Sequence, residues 1–280
     1  MPIPIEPGQM TWPARLTIDF SADNANRSKT LLSNHHEGPL RIQKALYPEG
    51  LSPCHAIIVH PPGGIAGGDQ LEITLAVQQQ ASAVLTTPGA AKWYGSGSIQ
   101  ANQAINMTVC GDLEWLPHEA IIFNQALGNS LIQVNLAPQS RMIGWDGIVF
   151  GRTASGEAFS HGHFSQSIRV SFSDQLEWEE RFSLSGKDLA QDSIVGLAGN
   201  PAVSTLWAAL REGDQWTEEE QNELRIQCPE LAWSALSPRL LVGRQRGSGR
   251  LLQEARIKAW SRLRPRVLNR PALSLRIWAT

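Results

Sequence analysis

Residues 60–96 read HPPGGIAGGDQLEITLAVQQQASAVLTTPGAAKWYGS, a glycine-dense turn, an alternating strand and a second turn that leads into an aromatic pair. Pro61 and Pro62 lack a backbone N–H and fix φ, so the apolar run Ala56–Val59 stops as a ladder strand at His60. Gly63, Gly64, Gly67 and Gly68 bracket Ile65 and Ala66, and paired glycines leave room for another backbone or a ligand to approach. Leu71, Ile73, Leu75 and Val77 alternate with Glu72, Thr74, Ala76 and Gln78, the period of a half-buried strand. Thr86-Thr87-Pro88-Gly89 marks the second turn. The loop fits neither nucleotide-binding pattern. Asp69-Gln70 stands where a phosphate cradle needs Lys and Ser or Thr, and Ile65 takes the place of the second glycine of a dinucleotide turn.

Outward from this stretch, strands outnumber helices. Arg15–Phe20, Leu40–Tyr47, Ala56–Val59, Leu71–Gln78, Ala83–Thr86, Ala104–Val109, Leu113–Leu116, Ala120–Phe123, Leu131–Leu136, Met142–Phe150, Ser165–Phe172 and Leu176–Phe182 alternate or form short apolar runs between turns. Helices are expected over Pro201–Arg211, with Pro at the first helical position, and over Thr217–Gln227, where Thr217 and Glu220 have capping-box spacing. A third is expected over Arg250–Leu263, closing before Pro265. This pattern predicts a mainly β fold, and leaves a sandwich, a barrel and a stacked β-helical arrangement open. No internal repeat of constant period is visible.

The chain has 280 residues, 42% of them hydrophobic, enough for one sizeable core. A single unit over 1–280 is expected, β-rich over 11–182, with a helical element about 200–227 and a basic segment over 239–280. The start MPIPIEPGQM is broken by proline, and no run of about 18 apolar residues occurs, so a cytoplasmic protein without membrane contact is expected. Cys54, Cys110 and Cys228 are widely spaced and odd in number, which suits reduced thiols. The net charge of −2 hides an asymmetry: Arg239 to Thr280 carries +10 and the first 238 residues −12. No nucleic-acid motif accompanies the basic end, and the acidic remainder opposes a polyanion, so its arginines are expected to pair with the acidic middle (Asp174 to Glu230) or with a protein partner.

The titratable clusters suggest little catalysis. His161-Gly162-His163 has a spacing a metal could use but no Cys or carboxylate beside it. His35-His36 reads as a solvated loop, and His60 as packed against the glycine turn. Asp112 with Glu114, and Glu177 with Glu179, share strand faces as a glycosidase pair would, although surface ion pairs give the same spacing. A β-helical polysaccharide-active enzyme is therefore the alternative reading. Trp115, Trp145 and Trp260 read as core, and Trp93 as a contact surface.

Several motifs together resemble the UreD (UreH) family of urease accessory proteins: His60-Pro-Pro-Gly-Gly-Ile…Gly67-Gly68-Asp69, Thr86-Thr87-Pro-Gly-Ala…Lys92…Tyr94…Ser96, Leu113-Glu-Trp-Leu-Pro117…Glu119, Gly151-Arg152…Ala154-Ser-Gly-Glu157…Phe159…Gly162, Leu263-Arg-Pro265 and Arg276-Ile-Trp-Ala-Thr280. The pattern departs at Gly95, where Arg is usual, at His118 for Gln, and at Asn124-Gln125 for Asp-Gly. The resemblance implies an irregular β-helical, helical-ribbon architecture with a small helical element in the C-terminal third. It implies a chaperone and not an enzyme, a scaffold linking apo-urease to UreF and, through it, the GTPase UreG. Nickel would be in transit, with no cofactor permanently bound. Asp69, Glu119 and Glu157 are expected to line a polar passage whose wall Gly63–Gly68 keeps thin. Trp93, Arg262, Arg264, Arg266 and Arg270 are expected at docking surfaces.

Overall fold

The computed structural model describes residues 11–189, 193 and 196–279; the MPIPIEPGQM segment and Thr280 of the last motif lie outside the described residues. The chain is mainly β and builds two mixed sheets. The first has seven strands in spatial order β14 (Gln175–Ser185), β13 (His163–Phe172), β11 (Leu127–Leu136), β8 (Ala101–Val109), β5 (Asp69–Val77), β1 (Trp12–Ala22) and β2 (Thr30–Glu37). The second runs β16 (Ala232–Ala235), β17 (Leu240–Gly247), β15 (Ala202–Ala209), β12 (Arg141–Phe150), β9 (Asp112–Trp115), β6 (Ser82–Thr86), β4 (Cys54–Val59) and β3 (Arg41–Leu46). Short β10 (Ala120–Ile122) pairs with β12 and with β7 (Ala91–Trp93).

From β4 to β13 the chain crosses between the sheets, so that β4, β6, β9 and β12 lie parallel in one and β5, β8, β11 and β13 parallel in the other. In-register pairing stacks like residues. Leu16, Ile73, Ile105, Ile132 and Ile168 form one row across five strands, and Ile18, Leu75, Met107, Val134 and Val170 the next. All ten are buried, and their odd-numbered or even-numbered neighbours face outward, because successive strand side chains alternate.

Two cores result. One lies between the sheets and contains these rows with Leu85, Trp93, Trp115, Ile148, Phe164 and Trp207. The other lies on the outer face of the second sheet, where Val84, Ile143, Trp145, Leu206 and Leu241 meet α2 (Glu218–Gln227) and α3 (Gly249–Leu268). A single turn, α1 (Gly186–Leu189), precedes β15. Capping explains α2: Glu220 N–H donates to Thr217 Oγ1 at 3.2 Å and Thr217 N–H to Glu220 Oε2 at 2.9 Å, the reciprocal box that the spacing predicts.

Three expectations need correction. Pro201–Arg211 is not a helix but the buried central strand β15, hydrogen-bonded on both sides by β12 and β17. A strand covered on both faces loses its period of two and reads like a buried helix. His35 and His36 sit on the polar edge strand β2, exposed but not in a loop. The helix α3 runs past Pro265 to Leu268, because Val267 and Leu268 are buried and hold the last turn despite the missing donor.

Candidate functional site

A cavity of about 350 Å³ opens between the two sheets. His60, Gly63, Gly64, Thr87 and Lys92 line it from the two quoted turns, His118 and Pro117 from the segment after β9, and Asp146 from β12. Apart from Gln103 the remaining wall is mainly apolar and comes from both inner faces, among them Ile58, Ile73, Ile105 and Trp115. Close packing shapes the mouth. Ile65 N–H donates to the Lys92 carbonyl at 2.6 Å and Tyr94 N–H to the Ile65 carbonyl at 2.8 Å, tying the turns together. A Cβ at residue 64 would stand 2.3 Å from Tyr94 Cε2, so only glycine fits beneath that ring. Tyr94 in turn packs edge-on against Phe123, with ring centroids 5.0 Å apart.

The hydroxyls of the second turn hold backbone. Thr86 Oγ1 donates to the Leu116 carbonyl at 2.7 Å, and Thr87 Oγ1 accepts from His118 N–H at 2.9 Å. Burial lowers the His60 imidazole below its ordinary value, against the opposing pull of Asp69. Burial, assisted by the Arg256 charge and opposed by Glu119, lowers His118 as well. Both rings are therefore neutral near pH 7, and His118 Nε2 is buried without a hydrogen-bond partner among the described residues.

Asp146 is the acidic residue of β12, which is otherwise apolar after Arg141. Burial pushes its carboxyl up to about 6, while a hydrogen bond from Gln166 Nε2 at 3.0 Å and the Arg256 charge act to lower it, and Glu180 adds to the rise. Asp146 also lines a second, much smaller pocket of about 20 Å³, with Gln166, Glu180 and Thr205. There Thr205 Oγ1 donates to Glu180 Oε1 at 2.6 Å, and Glu180 pairs with Arg244 of β17. Asp146 is thus common to both pockets, with the two imidazoles lining one and Gln166 and Glu180 the other.

The three carboxylates expected along a passage are placed elsewhere, and none lines this cavity. Asp69 closes the glycine turn by accepting from Ala66 N–H at 2.8 Å. Glu157 pairs with Arg152 at 2.6 Å and accepts from Asn124 N–H at 3.1 Å, organising a separate surface loop. Glu119 faces Arg256 at 3.4 Å. Gly67 and Gly68 shape the turn behind the mouth, where the Gly68 carbonyl accepts from Trp12 N–H at 3.1 Å.

The docking expectations are also redrawn. Trp93 is buried, edge-on to Phe164 at 5.1 Å, because it closes the end of the inter-sheet core. Arg264 is 0% exposed and binds Glu114 and Glu49. Arg266 pairs with Glu220 and donates to the Gln215 carbonyl at 3.0 Å, and Arg270 donates to the Ser52 carbonyl at 3.0 Å. Arg262 is exposed on α3. Much of the basic end therefore pairs with the acidic remainder of the chain.

The glycosidase alternative loses its residues. Asp112 is held by two bonds from Arg141, Glu114 by Arg264, and Glu179 by Arg169 and Arg181. His161 and His163 are hydrogen-bonded to Ser160 and Ser183, and no group of three metal-binding side chains occurs among the described residues. Sequence reasoning missed Asp146, Gln166 and Glu180. A charge in an apolar strand was the available signal for Asp146.

The family model described as "UreD urease accessory protein" matches residues 13–279. "Urease accessory protein UreD" of Dechloromonas aromatica is 40% identical over 279 residues, covering 96% of this chain and 95% of that protein. Proteins of the same name from Janthinobacterium sp. and Pseudomonas fluorescens are 42% and 40% identical, covering 95% and 96% of this chain and 91% and 96% of their own. With that match running nearly end to end over the motif turns that build the cavity mouth, the chain belongs to the UreD family of urease accessory proteins, a family of maturation factors and not of enzymes.

Proposed function

We propose that this chain is the scaffold that links apo-urease to a UreF–UreG complex, and that nickel on its way to the urease active site passes between the two sheets. The observation that carries this reading is the cavity whose mouth the glycine and Thr-Thr-Pro-Gly turns build, together with Asp146, which lines both that cavity and the small pocket of Gln166 and Glu180. Neutral imidazoles at His60 and His118 are nitrogen donors of the type nickel accepts, and the carboxyls of Asp146 and Glu180 are oxygen donors. Their spacing along the interior supports handing on, since a site that passes an ion must bind it weakly enough to let go. The alternating path of β4 to β13 supports reading the architecture as an irregular helical ribbon around that interior. Arg262, Arg276 and the exposed acids of α2 are among the charges available to steer partners.

Co-expression of tagged protein with UreF, UreG and the urease subunits tests this reading. Capture of the partners, with urease activity and nickel content both dependent on this chain, is the expected outcome. No capture and unchanged urease nickel would refute it.

A further inference from the structure

Behind Asp146, on the α3 side of the second sheet, lies a second charge. Arg256 of α3 is 1% exposed, and its guanidinium rests on the backbone at Gly147, where a Cβ would stand 1.8 Å from Nη1. Nη1 donates to Ser204 Oγ at 3.2 Å, and that hydroxyl donates to the Asp146 carbonyl at 2.7 Å. Nη2 reaches Glu119 Oε2 only at 3.4 Å, and Nε is buried with no hydrogen-bond partner among the described residues. The Trp145 ring, 5.7 Å from the guanidinium, adds a cation–π contact, but a buried cation with so few hydrogen bonds costs stability that an apolar side chain of similar volume packed under α3 would not. Its position explains its presence. In a strand, Asp146 and Gly147 point to opposite faces, so the guanidinium lies one sheet thickness from the carboxylate that faces the cavity.

We propose that Arg256 is a positioning residue that shortens the dwell of a divalent cation at Asp146. This inference rests on the passage reading above. A carboxylate alone in a medium of low polarity holds a divalent cation strongly, and a fixed positive charge close behind it offsets much of that attraction. Besides Arg256, Glu180 of β14, itself paired with Arg244 of β17, acts on Asp146, and Lys92 lines the same cavity, whereas Glu119 contacts Arg256 and partly neutralises it. Removing Glu119's charge therefore acts in the opposite direction from removing that of Arg256.

The test is equilibrium dialysis of nickel against the full chain and its variants, with urease activation measured in parallel. Arg256→Gln is expected to bind nickel at least about tenfold more tightly than the unsubstituted protein. Arg256→Lys is expected to stay within about twofold, and Asp146→Asn added to Arg256→Gln to abolish the gain. Glu119→Gln, at a partly exposed position, is expected to weaken binding and serves if Arg256→Gln does not fold. Unchanged affinity in Arg256→Gln, or a gain that survives Asp146→Asn, overturns the proposal. If Asp146→Asn blocks activation while Arg256→Gln binds as the unsubstituted protein does, the passage stands and the role of Arg256 falls. If Asp146→Asn activates normally, it is the passage that falls.

Discussion

Arg264 of α3 reaches Glu114 of β9 across 150 residues of sequence, Nη2 to Oε1 at 3.0 Å, with both side chains at most 2% exposed. Trp260 Nε1 donates to the other Glu114 oxygen at 2.6 Å, and Arg264 also meets Glu49, which binds His55 at 2.8 Å. This buried network locks the C-terminal helix onto the second sheet, and so holds the helix that carries Arg256 in place.

Breaking such a pair from one side strands a charge. Arg264→Met is expected to cost about 3–5 kcal/mol, and the double variant Arg264→Met/Glu114→Leu to recover a large part of it. Urea unfolding monitored by tryptophan fluorescence measures both. A single variant within about 1 kcal/mol of the unsubstituted protein would mean that α3 is held by its apolar face alone.

Two carboxyls give stability opposite dependences on pH. Burial tends to raise Glu49, but hydrogen bonds from His55 and Arg264 outweigh it and hold the group at about 2 against an ordinary 4.5. Its contribution, on the order of 3 kcal/mol, is present above the unfolded value and is lost as pH falls from about 5 to 2. Asp146 is raised from 3.8 to about 6, so its contribution is complete below 3.8 and is lost as pH rises through 6. Asp146→Asn is therefore expected to be more stable than the unsubstituted protein at pH 8, by on the order of 2–3 kcal/mol, relative to their difference at pH 4. Glu49→Gln is expected to flatten the acid limb. Urea midpoints at pH 3, 4 and 8 read both effects.

Gly64→Ala is expected to displace Tyr94 and cost about 1–3 kcal/mol, since the added methyl meets a ring backed by Phe123 and the Lys92 carbonyl at 2.8 Å. The loss of an edge-on ring-current shift at Phe123 in the NMR spectrum checks the displacement. An unmoved Tyr94 would show that the mouth is looser than its packing indicates.

The sequence made the parallel strands legible wherever one face is wet, as in Leu71 to Val77, because alternation survives there. It hid β15, Ala202–Ala209, and β17, Leu240–Gly247, which are buried enough to lose that alternation. The motif turns point to the mouth but not to the interior, since Gln166 and Glu180 of the β13–β14 hairpin meet Asp146 of β12 only where the two sheets pack face to face. The arginines of the basic end read as partners of the acidic middle or of another protein, and burial of Arg256 and Arg264 is not legible, because composition does not show on which helix face a charge falls. The departures at Gly95 and Asn124-Gln125 prove to be neighbours: a Cβ at 95 would stand 2.7 Å from the Asn124 carbonyl, so a side chain there requires a change at 124–125 too.

The most direct measurement is nickel incorporation into apo-urease, reconstituted with its accessory proteins and either the unsubstituted chain, Asp146→Asn or Glu180→Gln. The passage between the sheets predicts that both variants still assemble with urease but deliver several-fold less nickel and activity. Full nickel content with both interior carboxyls neutralised would contradict it.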